Sequence, residues 1–82
     1  MTKMKYNLNC LNEDFVLFPI TVNHCDVRGN WSSAGFVTFT HELDEYGTTR
    51  TKANCFGRSD SLNLSSDEKD SSIISNYLNI GF

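Results

Sequence analysis

Between Gly35 and Phe56 the chain carries two runs of period two joined at a turn, a pattern that marks an antiparallel hairpin. Val37, Phe39, His41 and Leu43 alternate with Phe36, Thr38, Thr40 and Glu42, and β-branched and aromatic residues dominate the run. Asp44-Glu45-Tyr46-Gly47 is the connection, with Gly47 free to adopt positive φ. In the second run Thr49, Thr51, Ala53 and Cys55 share one face, small enough to lie under a helix. Arg50, Lys52, Asn54 and Phe56 share the other, which suits an open, wet face.

Two further strands are expected upstream. Tyr6, Leu8 and Cys10 alternate with Asn7 and Asn9 until Asn12-Glu13-Asp14 breaks the pattern. The segment from Phe15 to Val27 places Phe18, Ile20 and Val22 on one face. Pro19 cannot donate to a ladder, which favours a strand beginning effectively at Ile20. Arg28-Gly29-Asn30 then signals a turn. Downstream, Ser65-Ser66-Asp67-Glu68 matches a capping box, Ile73, Ile74, Tyr77 and Leu78 recur at helical spacing, and Gly81 is placed to stop the helix. The expected strands span 4–10, 16–27, 35–43 and 48–57, and the helix 66–79. Short connections favour neighbouring antiparallel strands. The expected fold is therefore α+β: a four-stranded antiparallel β-meander packed against one C-terminal helix, with residues 1–82 as one domain.

Composition narrows function. The net charge is −3 and the isoelectric point about 5.1, which argues against a general nucleic-acid binder. No apolar run is long enough to span a membrane, and the MTKMKYNLNC start has no apolar signal region. Three cysteines, an odd number, then suggest reduced thiols in the cytoplasm. In that setting the sequons at Asn30 and Asn63 are accidental matches.

Several constellations can be set against chemistry. Cys10, His24, Cys25, His41 and Cys55 are the residue types that hold zinc, yet they include no CxxC or HxxxH pair. His24 and Cys25, adjacent on a strand, would point to opposite faces, so the metal alternative reduces to Cys10, Cys25, His41 and Cys55. A Cys25 or Cys55 nucleophile with His41 has no local motif behind it. Glu42, Asp44 and Glu45 read as a solvated hairpin end, and Gly57-Arg58-Ser59-Asp60-Ser61 lacks the Gly-Lys-Ser/Thr of a phosphate loop. The expectation is a protein without catalytic residues or cofactor.

Binding features remain. Trp31 lies in a turn region and, with Arg28 and Tyr46, has the side-chain chemistry of an interface anchor. In a meander, however, consecutive connections fall at opposite ends, which separates Trp31 from Tyr46. Arg50, Lys52 and Phe56 form a basic and aromatic strip, the geometry of single-strand binders, and give a nucleic-acid alternative. A domain this small also gains from extra burial, so a homodimer through an exposed strand edge is a further expectation.

In general style the chain resembles small phage-encoded proteins that inhibit host factors, including anti-CRISPR and related anti-defence proteins. The resemblance is architectural and rests on the MTKMKY start, strands such as GFVTFTHEL and the helix SSDEKDSSIISNYLNI. It implies a host protein partner in the host cytoplasm, blocked stoichiometrically by surface occlusion without turnover, and it transfers no site residues.

Overall fold

The computed structural model describes residues 3–79. Its elements are β1 (Met4–Asn9), β2 (Asp14–Pro19), β3 (Ser33–Leu43), β4 (Thr49–Phe56), β5 (Arg58–Ser59), β6 (Leu64–Ser65) and α1 (Asp70–Leu78). The first four form one antiparallel sheet in the order β2-β1-β3-β4, and β5 and β6 form a two-stranded hairpin of their own. The α+β class with one C-terminal helix is as expected. The order is not that of a simple meander, because β1 sits between β2 and β3.

The cause lies in the segment after β2. The strand expected over 16–27 ends at Pro19, and the Val22 amide donates back to the Pro19 carbonyl in a turn. Pro19 closes the strand rather than opening it. Residues 20–32 are then long enough to cross over β1, passing through a single 3-10 turn at His24–Asp26. They are fastened there at three points. Lys5 Nζ donates to the Val22 carbonyl at 2.8 Å, Asn7 Nδ2 to the His24 carbonyl at 3.1 Å, and His24 Nε2 bonds the Gly35 carbonyl at 2.9 Å.

The crossover buries β1 on both faces. Tyr6 and Leu8 look into the main core with Val37, Ala53 and Ile74, while Asn7 is fully buried beneath the crossover. The His24 carbonyl accepts from the Asn7 amide nitrogen, while the Asn7 Oδ1 is buried with no partner among the described residues.

The β3–β4 hairpin has the expected alternation, with Phe36 opposite Phe56, Val37 opposite Cys55 and Leu43 opposite Thr49. Asp44 Oδ1 accepts from the amides of Tyr46 and Thr48, which fixes the turn. These amide bonds, Thr48 first, together with nearby Arg50, hold the Asp44 carboxyl below its usual range.

The helix differs from expectation at its start. It begins at Asp70, not at 66, because Ser65 is in β6, opposite Arg58. The segment leading into the helix is held by the first helical residue: Asp70 Oδ2 accepts from the Asp67 amide at 2.9 Å. Ile74 is buried and Ile73 and Leu78 are partly buried, as the helical spacing predicts, whereas Tyr77 is mostly exposed and meets Phe15 edge-on at 5.1 Å. The expected stop at Gly81 lies outside the described residues. Along the outer edge of β4, Ser71 Oγ accepts from the Cys55 amide and Ser75 Oγ from the Ala53 amide. Asn79 pairs with both backbone groups of Thr51. Three polar residues spaced by four thus satisfy a sheet edge that would otherwise be open to pairing.

At its inner end the helix carries a buried polar contact. Tyr6 Oη donates to Asp70 Oδ2 at 2.5 Å, with both residues essentially inaccessible. Burial, then this bond and the Asp70 charge, raise the Tyr6 phenol above its ordinary range. Burial likewise pushes the Cys55 thiol up to about 11. The unfolded chain releases these protons near ordinary values of 10.0 and 9.0, while the folded chain holds the Cys55 proton to about 11 and the Tyr6 proton beyond that. Folding stability is therefore expected to be intact below about pH 9 and to fall above it. For Tyr6 the loss should approach ~1.4 kcal/mol per pH unit beyond about pH 10. Urea unfolding at stepped alkaline pH checks this; a flat profile to high pH would contradict it. Tyr6→Phe should flatten the upper part of the profile.

Candidate binding face

The sheet face opposite α1 divides in two. Over β1 and β2 it is covered by the crossover, where His24 packs edge-on to Phe18 and to Phe36, with ring centroids 5.5 and 5.9 Å apart. Over β3 and β4 it carries the outward row Phe36, Thr38, Thr40 and Glu42 opposite Phe56, Asn54, Lys52 and Arg50. Phe36 and Phe56 stack at 5.9 Å with 27° between their planes, and Phe56 remains 43% exposed. Lys3 Nζ stands 4.8 Å above the Phe36 ring centre.

The backbone is shaped to hold this pair. A Cβ on Gly35 would come within 2.5 Å of the Phe56 carbonyl oxygen. One on Gly57, where φ is +77°, would press to 2.9 Å on the Phe36 ring. Beside Phe36 a cleft of about 280 Å³ is lined in part by Lys5, Asn23, His24, Arg58 and Ser61. Arg58 bonds Asn63 at 3.0 Å and pairs with Asp60 at 3.1 Å, which fixes the guanidinium at the cleft mouth.

Charge is distributed unevenly. Lys3, Lys5, Arg50, Lys52 and Arg58 are five of the seven Lys and Arg residues of an acidic chain, and all five border this face. Arg50 faces Asp44 at 3.6 Å and Arg58 is paired with Asp60, while Lys3 and Lys52 are solvent-facing. The face therefore offers two stacked rings, a hydroxyl and amide strip, and cations that approach from β1, β4 and the β4–β5 junction.

The residues singled out from sequence separate into two groups. Arg50, Lys52 and Phe56 do share this face. Trp31, Arg28 and Tyr46 do not gather into one anchor. Trp31 is half-buried beside Gly29, its Nε1 donating to the Val27 carbonyl at 2.9 Å, and Arg28 is exposed in the same loop. Tyr46, 84% exposed, stands at the hairpin tip, and the whole length of β3, about 35 Å at the usual rise, lies between it and Trp31. The metal alternative is also dispersed. Cys10 follows β1, Cys25 lies in the crossover, Cys55 is under α1, and His41 Nδ1 bonds Thr51 Oγ1 at 3.2 Å. Among the described residues no group of His, Cys, Asp or Glu is arranged to hold a metal ion.

Phe36, Lys3 and Lys5 were not anticipated as parts of the face. Phe36 belongs to the alternating run of β3, but its neighbours on this side come from β1 and are set by the β1–β3 register. Among the described residues no helix is long and apolar enough to cross a membrane. Set against known protein families, curated proteins and solved structures, the chain matches none.

Proposed function

We propose that this protein is a non-catalytic protein-binding module whose contact surface is the open β3–β4 face and whose partner presents an acidic surface. The observation that carries the reading is the placement of five of the seven basic residues along the face that holds the Phe36–Phe56 pair, three of them (Lys3, Lys5 and Arg58) beside the pair itself, in a chain of net charge −3. Exposed aromatic rings supply contact area, and flanking cations steer an acidic partner and set its register. Such a domain acts by occupying its partner's surface one to one, and stoichiometric inhibition of a host protein, as in small phage-encoded inhibitors, is the mode of action in this proposal. Cytoplasmic placement belongs to the same proposal and is supported by three unpaired cysteines, two of them exposed, which suit a reducing compartment.

The test is affinity capture followed by calorimetry with the captured protein. Phe56→Ala and Lys52→Glu should each weaken binding about tenfold or more, and binding should weaken with salt. Arg28→Glu, in the crossover away from this face, should bind as the parent does. Equal binding by all three variants would remove the face from the interface. Salt-sensitive capture of an oligonucleotide in place of a protein would replace this reading with the single-strand alternative, for which the stacked rings and Lys3 supply the chemistry.

A further inference from the structure

The open β3–β4 ribbon is electrically polar along its length. At the Phe36–Phe56 end Lys3, Lys5 and Arg58 stand against one carboxylate, Asp60. At the turn end Glu42, Asp44 and Glu45 stand against one guanidinium, Arg50. About 26 Å separates Phe36 from Asp44 at the usual strand rise. Each end also has an aromatic group: the Phe36–Phe56 stack at the basic end and the exposed Tyr46 at the acidic end.

A ribbon with opposite charge at its two ends is complementary to itself under a two-fold rotation. We infer that two copies of this chain associate face to face through antiparallel β3–β4 ribbons, the acidic tip of each lying over the basic aromatic end of the other. The two-fold axis falls near the Thr40–Lys52 pair, midway between the ends, so the two Lys52 side chains meet there and their repulsion sets a cost against the complementary ends. Tyr46 of each copy is then carried toward the Phe36–Phe56 stack of its mate, and Glu45 toward Lys3. Such an interface is isologous and closes at two copies. The β2 edge plays no part in it.

The ribbon is narrow, so the buried area falls below that of a standard stable interface, and the dimer should be weak and salt-sensitive. The inference uses the face proposed above but does not depend on an outside partner. It adds a consequence: an acidic partner has to displace the second copy, so dimerisation masks the face until a tighter ligand arrives.

Sedimentation velocity on the purified chain alone tests it. At about 0.05 M salt the mean mass should rise from 9.3 kDa toward twice that value with concentration, and at about 0.5 M salt it should return to the monomer. Lys3→Glu and Glu45→Lys should each weaken the dimer about tenfold or more, because every charge reversal appears twice in a two-fold interface. An equimolar mixture of the two variants should dimerise again, since in the heterodimer one contact is native and the other is reversed at both residues, so both are complementary; the double variant should do so too. Simple misfolding cannot give that rescue. A wild-type chain that stays monomeric at low salt and high concentration would overturn the inference, as would a dimer indifferent to both reversals. Either outcome leaves partner binding by Phe56 and Lys52 separately measurable.

Discussion

Asp70→Ala is expected to cost about 3 kcal/mol of folding stability and to lower the melting temperature by roughly 15 °C, a large share of what a domain of this size possesses. The carboxylate is buried and accepts at one oxygen from both Tyr6 Oη and the Asp67 amide. Truncation therefore strands a fully buried phenol on β1 and frees the segment that leads into α1 in one step. Asp70→Asn keeps an acceptor oxygen of the same shape and should cost clearly less. Tyr6→Phe removes the donor while leaving the carboxylate buried, and should cost about 2 kcal/mol. Urea unfolding of the two singles and the double gives the coupling energy directly. A value of about 1 kcal/mol or more shows that the pair ties the helix to the central strand. A coupling near zero, with Asp70→Ala almost as stable as the parent, would mean that the apolar contacts of Ile73, Ile74 and Leu78 and the polar bonds to β4 dock the helix without this pair.

The reach of the sequence is visible at the same elements. The hairpin was legible because its information is local: strict alternation on both sides of a turn whose last residue, Gly47, takes φ of +79°. The outward position of Arg50, Lys52 and Phe56 followed from that alternation. The position of β1 was not legible. Its central place depends on Asn7 being buried beneath the crossover, and a polar residue in an alternating run reads as a wet face. The run from Ile20 to Val27 looked like a strand because apolar residues recur in it, but the backbone turns at Pro19 and His24 goes inside, satisfied by a carbonyl of β3. The helix starts later than the capping-box spacing of Ser65 and Glu68 suggests, because Ser65, in β6, pairs with Arg58 and the carboxylate that holds the lead-in segment is that of Asp70, which also meets Tyr6. Half of the candidate face was hidden for a related reason. Lys3, Lys5 and Phe36 come together only when β1 pairs with β3, a contact between segments some thirty residues apart.

The edge of β4 gives the second large effect. Ser71→Ala with Ser75→Ala should destabilise by about 2–4 kcal/mol, although serine is the poorer helix former of the two residues. The helix gains intrinsic propensity, yet the Ala53 and Cys55 amides lose the hydroxyl oxygens that accept from them at 2.8 and 2.9 Å under the helix. Propensity is worth a few tenths of a kcal/mol per position, whereas a stranded buried amide costs more, so the second effect wins. Ser72→Ala is the matched control. Ser72 is exposed on the same helix, and its substitution should be neutral or slightly stabilising. Native-state hydrogen exchange separates mechanism from mere loss of stability. In the double variant the Ala53 and Cys55 amides should lose protection through local opening, while those of Leu8 and Val37 should exchange only on global unfolding. The freed edge should also promote concentration-dependent aggregation, since a strand with unpaired amides is a template for another. Equal exchange at Ala53 and Val37 in the double variant would show that the serines do not seal the edge.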